Sequence, residues 1–163
     1  MNGVILLLGS NIGDSINILK KANEAIESSI GRIANASEIY LTEAWGYHDQ
    51  PPFLNQALYV DTDLEPIQVL QNVNTIERSL GRIRLEKWRE RTIDVDIIYY
   101  NDQIINEPAL KVPHPELQKR KFVLVPLCEI DAERIHPVLQ ITNLELLHKL
   151  DDPLKVEKLI IDT

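Results

Sequence analysis

Cysteine is almost absent from this chain. The single thiol, Cys128, excludes a disulfide framework and a cysteine-based zinc site, and its apolar neighbours make it a small buried hydrophobe. Aromatic residues make up 6% of the 163 positions, too few for the stacking platform of an RNA-binding sheet. No apolar run approaches the roughly 20 residues that span a bilayer. The N-terminal run Val4-Ile5-Leu6-Leu7-Leu8 is five residues long and no basic residue precedes it, so a buried strand is expected rather than a signal peptide. A cytoplasmic location follows as the expectation. Gly-x-x-x-x-Gly-Lys-Ser/Thr occurs nowhere, which excludes a P-loop. Net positive charge is lacking too: 17 basic residues face 25 acidic ones, a net charge of −8. Nucleic acid and anionic membrane are therefore poor partners, and small molecules are the expected ones. No obligate protein partner is implied, and residues 1–163 read as a single domain.

What basic charge there is falls in two places. Arg78, Arg82, Arg84, Lys87, Arg89 and Arg91 lie within residues 78–91, and Lys119, Arg120 and Lys121 are consecutive. An acidic protein with local arginine clusters fits a confined polyanion site such as a nucleoside triphosphate.

Hydrophobic spacing predicts a strand over 3–9 and a helix from Asp14 or Ser15 to about Ile30. A strand over 32–42, a loop over 43–52 and a strand over 53–62 follow. A helix over 65–80 opens with Pro66 in its first turn. After the charged loop 82–91 comes a strand over 92–100, then a short strand at Gln103–Ile105. Short helices are expected near 116–120, 122–130 and 142–149. The order β-α-β-β-α-β is that of a ferredoxin-like α+β sandwich with a C-terminal extension. Its helices would sit on one face of an antiparallel sheet, leaving the other face for a ligand.

Asp94 and Asp96 are two apart in a predicted strand, so both side chains point to one face. Ile93, Val95, Ile97 and Tyr99 would point to the other. Two carboxylates in that arrangement suit Mg²⁺, which takes one or two of them together with substrate phosphates. Phe53 and Asn55 likewise share a strand face, and a ring beside an amide suits a flat heterocycle. His114, between Pro113 and Pro115, sits on a stiff loop from which an imidazole can reach phosphate. His48, His136 and His148 read as surface or packing residues. These residues also fit a two-metal phosphodiesterase or nuclease, or a small-ligand module on the same fold.

Together the motifs resemble those of the 6-hydroxymethyl-7,8-dihydropterin pyrophosphokinases of folate synthesis. The most specific piece is Arg91-Thr92-Ile93-Asp94-Val95-Asp96-Ile97. Support comes from Gly9-Ser10-Asn11, from Asp49-Gln50-Pro51-Pro52-Phe53-Leu54-Asn55 and from Gly81-Arg82-Ile83-Arg84. Val112-Pro113-His114 and Phe122-Val123-Leu124-Val125-Pro126-Leu127 complete the set. The resemblance implies a ferredoxin-like fold, ATP as co-substrate and two Mg²⁺ ions held by Asp94 and Asp96. It implies diphosphate transfer from ATP to the pterin hydroxymethyl oxygen, with AMP released. Arg82 and Arg91 would join the two aspartates as catalytic residues. Asn74, Glu77, Arg82, Arg84, Trp88, Arg91, Ile97, His114 and Arg120 would bind ATP, with Trp88 closing over it. Phe53 and Phe122 would sandwich the pterin, Asn55 would read its edge, and Thr42 and Trp45 would lie nearby. This chain departs from the family pattern at Glu43, Ala44, Arg89 and Glu90, all in the two loops flanking these motifs.

Overall fold

A computed structural model describes residues 1–11, 14–42, 51–81 and 92–160. The chain runs β1 (Asn2–Ser10), α1 (Ser15–Ser29), β2 (Gly31–Ala36), β3 (Tyr40–Thr42), β4 (Phe53–Thr62), α2 (Pro66–Ser79) and β5 (Asp94–Tyr100). A small hairpin of β6 (Ile105–Asn106) and β7 (Lys111–Val112) follows, then a 3-10 turn (Leu117–Lys119), α3 (Lys121–Asp131), α4 (Asn143–Lys149) and β8 (Val156–Lys158).

The main sheet is antiparallel throughout its described pairings, in the order β5-β1-β4-β3-β8, with β2 also pairing β4. This is the ferredoxin-like arrangement expected from the element order. Helix α1 starts where Asp14 Oδ1 accepts the Asn17 N–H at 3.2 Å, and α2 starts with Pro66 at its first position. Leu19, Ala22 and Ile26 of α1 and Val69, Val73 and Ile76 of α2 are buried at helical spacing. They pack on one sheet face against Val4, Leu6, Leu8, Leu58, Val60, Val95 and Ile97.

The opposite face is not left open. Val123, Leu124 and Leu127 of α3 and Leu146 of α4 cover Ile5, Leu7, Ala57, Ile98 and Tyr99 there. This explains the unbroken apolar run of β1, which needs both of its faces buried.

Three local expectations change. The strand over 32–42 is two strands, because Ser37 turns its side chain onto the sheet: its Oγ accepts the Ala57 N–H at 2.9 Å and donates to the Glu38 carbonyl at 2.7 Å. The helix expected to run to about Ile30 stops at Ser29, and Gly31 already opens β2. A Cβ at Gly31 would meet the Asp61 carbonyl oxygen at 1.9 Å, so close strand approach is what requires glycine there. Tyr99 joins Ile98 on the α3 side, because the β1–β5 register slips between Ile5 and Leu6, which pair with Tyr99 and Ile97.

Candidate functional site

Strand register brings the predicted residues together. Residues directly opposite in an antiparallel pair point to the same face. Across the sheet, Tyr40 faces Asn55, Asn55 faces Gly9, and Gly9 faces Asp94. One step along, Thr42 faces Phe53; one step the other way, Ala57 faces Leu7 and Leu7 faces Asp96. All nine therefore share one face. It is the face that α3 and α4 cover at Leu7 and Ala57, so the site lies at the end of that face beside them.

Gly9 lies in the middle of this row as part of β1, not in a strand-to-helix turn. A Cβ there would come within 2.7 Å of Asn55 Nδ2. The floor between Asn55 and Asp94 thus carries no side chain. It is two strand spacings wide, about 10 Å.

At one end of the floor the polar groups are buried. Asn55 is 4% exposed and Thr42 is 3% exposed. Asn55 Nδ2 donates to the Leu8 carbonyl at 3.2 Å. Asn55 Oδ1 and Thr42 Oγ1, together with Gln118 Oε1, are the buried side-chain polar atoms without a hydrogen-bond partner among the described residues. Each such atom costs about 1–3 kcal/mol if nothing ever satisfies it. Phe53 stands beside them on β4, and Phe122 comes from the first turn of α3, partly buried against the covering core.

At the other end are charges. Asp94 and Asp96 are half-buried at the start of β5. His114 follows β7, its backbone N–H donating to the Ile98 carbonyl at 3.0 Å. Its Nδ1 accepts the Glu116 N–H at 3.1 Å, which leaves Nε2 to carry the ring proton. Burial pushes its imidazole below the ordinary histidine range; the Asp96 carboxylate pulls it back up, while Arg120 adds to the depression. Burial and Arg120 together favour the neutral ring, with its proton on Nε2. The Arg120 guanidinium lies 5.8 Å from the centre of the Phe122 ring, so this cation adjoins the aromatic wall.

The donor set fits magnesium. Both carboxylates are hard oxygen ligands on one strand face, as expected from their spacing. No group of three or more histidine, cysteine, aspartate or glutamate side chains able to hold a metal occurs among the described residues. A pair alone leaves coordination positions for phosphate oxygens and water, the pattern usual for Mg²⁺ with a nucleotide.

Other expected residues sit elsewhere. Ile97 belongs to the α1–α2 core, because its odd position turns its side chain away from Asp94 and Asp96. Any contact with a nucleotide would come from its backbone. Asn74 is exposed on α2. Glu77, 5% exposed, accepts the backbone N–H of Val95 at 2.9 Å, so its carboxylate braces β5 between the two aspartates. Trp45, Arg82, Arg84, Trp88 and Arg91 lie outside the described residues, as do Glu43, Ala44, Arg89 and Glu90. Gly9 and Tyr40 went unnoticed as site residues in the sequence. Tyr40 stands two before Thr42 and so shares its face, but only the register shows that it abuts Asn55.

Comparison with known proteins matches this chain to a family. Residues 5–132 match the family model described as 7,8-dihydro-6-hydroxymethylpterin-pyrophosphokinase (HPPK). A 2-amino-4-hydroxy-6-hydroxymethyldihydropteridine pyrophosphokinase of Aquifex aeolicus (strain VF5) is 43% identical over 138 residues, 85% of this chain and 86% of that protein. One from Haemophilus influenzae is 36% identical over 148 residues, 90% of this chain and 92% of that protein. The solved Plasmodium falciparum HPPK-DHPS wild type with SDX-DHP superposes with a TM-score of 0.75 at 20% identity, covering 91% of this chain and 43% of that one. This chain thus spans less than half the length of that HPPK-DHPS protein, and at such identity the likeness shows the fold.

Proposed function

This chain belongs to the 7,8-dihydro-6-hydroxymethylpterin-pyrophosphokinase family, and from that membership we propose how its residues divide the work. The reaction is pyrophosphoryl transfer from ATP to hydroxymethyldihydropterin in folate biosynthesis. The hydroxymethyl oxygen attacks the β-phosphorus, the bond from that phosphorus to the α,β-bridging oxygen breaks, and AMP leaves while the hydroxyl proton is lost.

The pterin ring lies between Phe53 and Phe122, at the end of the floor where Asn55 Oδ1 and Thr42 Oγ1 lack partners among the described residues. A pterin offers ring and amino N–H donors of the kind those oxygens need. Trp45 adds apolar contact. The triphosphate runs toward Asp94 and Asp96. His114 donates to it through Nε2, and Arg120 lies against Phe122, where donor and acceptor meet. Arg82, Arg84 and Arg91 neutralise the remaining phosphate charge, Trp88 closes over the nucleotide, and Asn74 contacts it from α2. Two Mg²⁺ ions, when bound to the aspartate pair, would lower the charge on the phosphates and acidify the pterin hydroxyl. The protein's own part is positioning: the row Asn55–Gly9–Asp94 brings acceptor and donor onto one face. Residues 1–163 act as one pyrophosphokinase domain on small-molecule substrates. No helix among the described residues is long and apolar enough to cross a membrane.

The observation that carries this reading is the register line Asn55–Gly9–Asp94, with the unsatisfied amide oxygen at one end and the carboxylates at the other. AMP release, followed by chromatography with ATP and Mg²⁺ present, tests it. AMP should appear only when the hydroxymethyl pterin is added. AMP that forms equally without it would favour a two-metal hydrolase instead.

A further inference from the structure

We propose that Asp152, Tyr40 and Glu129 are positioning residues that set the width of the pterin slot, by clamping α3 to the sheet at two points. The proposal rests on the reading that Phe122 and Phe53 are the two walls of that slot. Phe53 belongs to the sheet, but Phe122 is the second residue of α3, so the gap between them is only as fixed as the seat of that helix.

The first clamp is at the helix start. The N–H of Lys121, beside Phe122, donates to Asp152 Oδ2 at 3.2 Å. The other oxygen of Asp152 accepts the Leu154 N–H at 2.9 Å, which ties the carboxylate to its own segment. That segment runs on into β8, where Val156 pairs with Thr42 and Lys158 with Tyr40, and the Leu159 N–H donates to the Ile39 carbonyl at 2.8 Å. Thr42 in turn pairs with Phe53. A closed path therefore links the two aromatic walls: Phe122, Lys121, Asp152, β8, Thr42, Phe53. The first turn of α3 needs such outside support. Pro126 within the helix has no N–H to offer the Phe122 carbonyl four residues earlier.

The second clamp is two helical turns further on. Glu129 is seven residues past Phe122 and shares its side of the helix. One of its carboxylate oxygens accepts the Tyr40 O–H at 2.5 Å, the other the Glu38 N–H at 2.9 Å. Both donors belong to β3 or the residues just before it, and Tyr40 is the register neighbour of Asn55. Asp152 and β8 lie beyond residue 132, where the match to the family model ends. The C-terminal segment thereby becomes part of the substrate site's frame without touching substrate.

The test uses full-length Asp152→Ala, Asp152→Asn, Tyr40→Phe and Phe122→Ala, measuring the pterin KM at saturating ATP and the Kd of α,β-methylene-ATP. Asp152→Ala and Tyr40→Phe should raise the pterin KM about tenfold and leave the nucleotide Kd within about twofold, as expected when a substrate wall shifts without losing its chemistry. Asp152→Asn keeps one of the two acceptor oxygens and should raise the pterin KM less than Asp152→Ala. An unmoved pterin KM in Asp152→Ala and Tyr40→Phe, with or without a lower melting temperature, overturns the clamp if Phe122→Ala raises that KM. A parallel rise of pterin KM and nucleotide Kd overturns it equally. If Phe122→Ala itself leaves the pterin KM unchanged, the slot reading beneath it falls.

Discussion

Single residues make the sharpest predictions because two buried oxygens at the site lack partners among the described residues. Thr42→Val removes one of them at nearly constant shape. The variant should be as stable as the parent or up to about 1 kcal/mol more stable in urea unfolding, because Thr42 Oγ1 has no hydrogen bond to lose among the described residues. Its pterin KM should nevertheless rise severalfold. A hydroxyl kept for folding would give the reverse. Gly9→Ala should weaken pterin binding and cost about 1–3 kcal/mol of stability, since its methyl must displace the Asn55 amide 2.7 Å away. Steady-state KM and a urea midpoint check both. The aspartate pair and the Phe53–Asn55 pair were legible in the sequence, because a period of two is a local property of a strand. Gly9 and Tyr40 were not, because their place depends on which residues of other strands stand opposite them.

Elements show a similar division. The strands and helices through β5 follow hydrophobic spacing to within a residue or two, except where a side chain intervenes. Ser37 divides one expected strand by bonding to β4, and a slip in register turns Tyr99 to the other face. Neither the Ser37 bond to Ala57 nor the pairing of β5 with β1 has a local signal. Glu77 braces an element: β5 ends the sheet among the described strands, and this carboxylate takes the Val95 N–H. Glu77→Leu should destabilise the fold by about 1–3 kcal/mol, the cost of stranding a buried donor, whereas Glu77→Gln keeps an acceptor and should lose less. Denaturant midpoints distinguish the two. The turn after α3 is pH-sensitive. His136 Nδ1 accepts the N–H groups of Val138 and Leu139, each at 3.1 Å, and burial pushes the ring below the ordinary histidine range. The unfolded chain therefore binds that proton more readily. The stabilisation is present above about pH 6.5 and is lost as pH falls from there through the folded value. His136→Asn, an uncharged acceptor, should flatten the decline in urea midpoint between neutral and mildly acid pH.

At the scale of the whole molecule, the element order identifies a ferredoxin-like sheet, and both sequence and structure agree on helices α1 and α2 covering one face. That α3 and α4 cover most of the other face was not legible. Their pieces are short and proline-broken, and what they bury is set by tertiary packing rather than by their own periodicity. The consequence is functional: the site shares a sheet face with that core and has a wall supplied by the covering helix. A net charge of −8 coexists with this site because its basic residues are concentrated near it in sequence, at 78–91 and 119–121.

The central claim is that the carboxylates and the pterin slot on that one face serve a single transfer from ATP. The most direct measurement is AMP release by Asp94→Asn at saturating ATP, pterin and Mg²⁺. Loss of charge stabilisation at the reacting phosphates predicts a fall of about a thousandfold or more, with the pterin KM changed by only a few fold. AMP release within about tenfold of the parent would contradict the account.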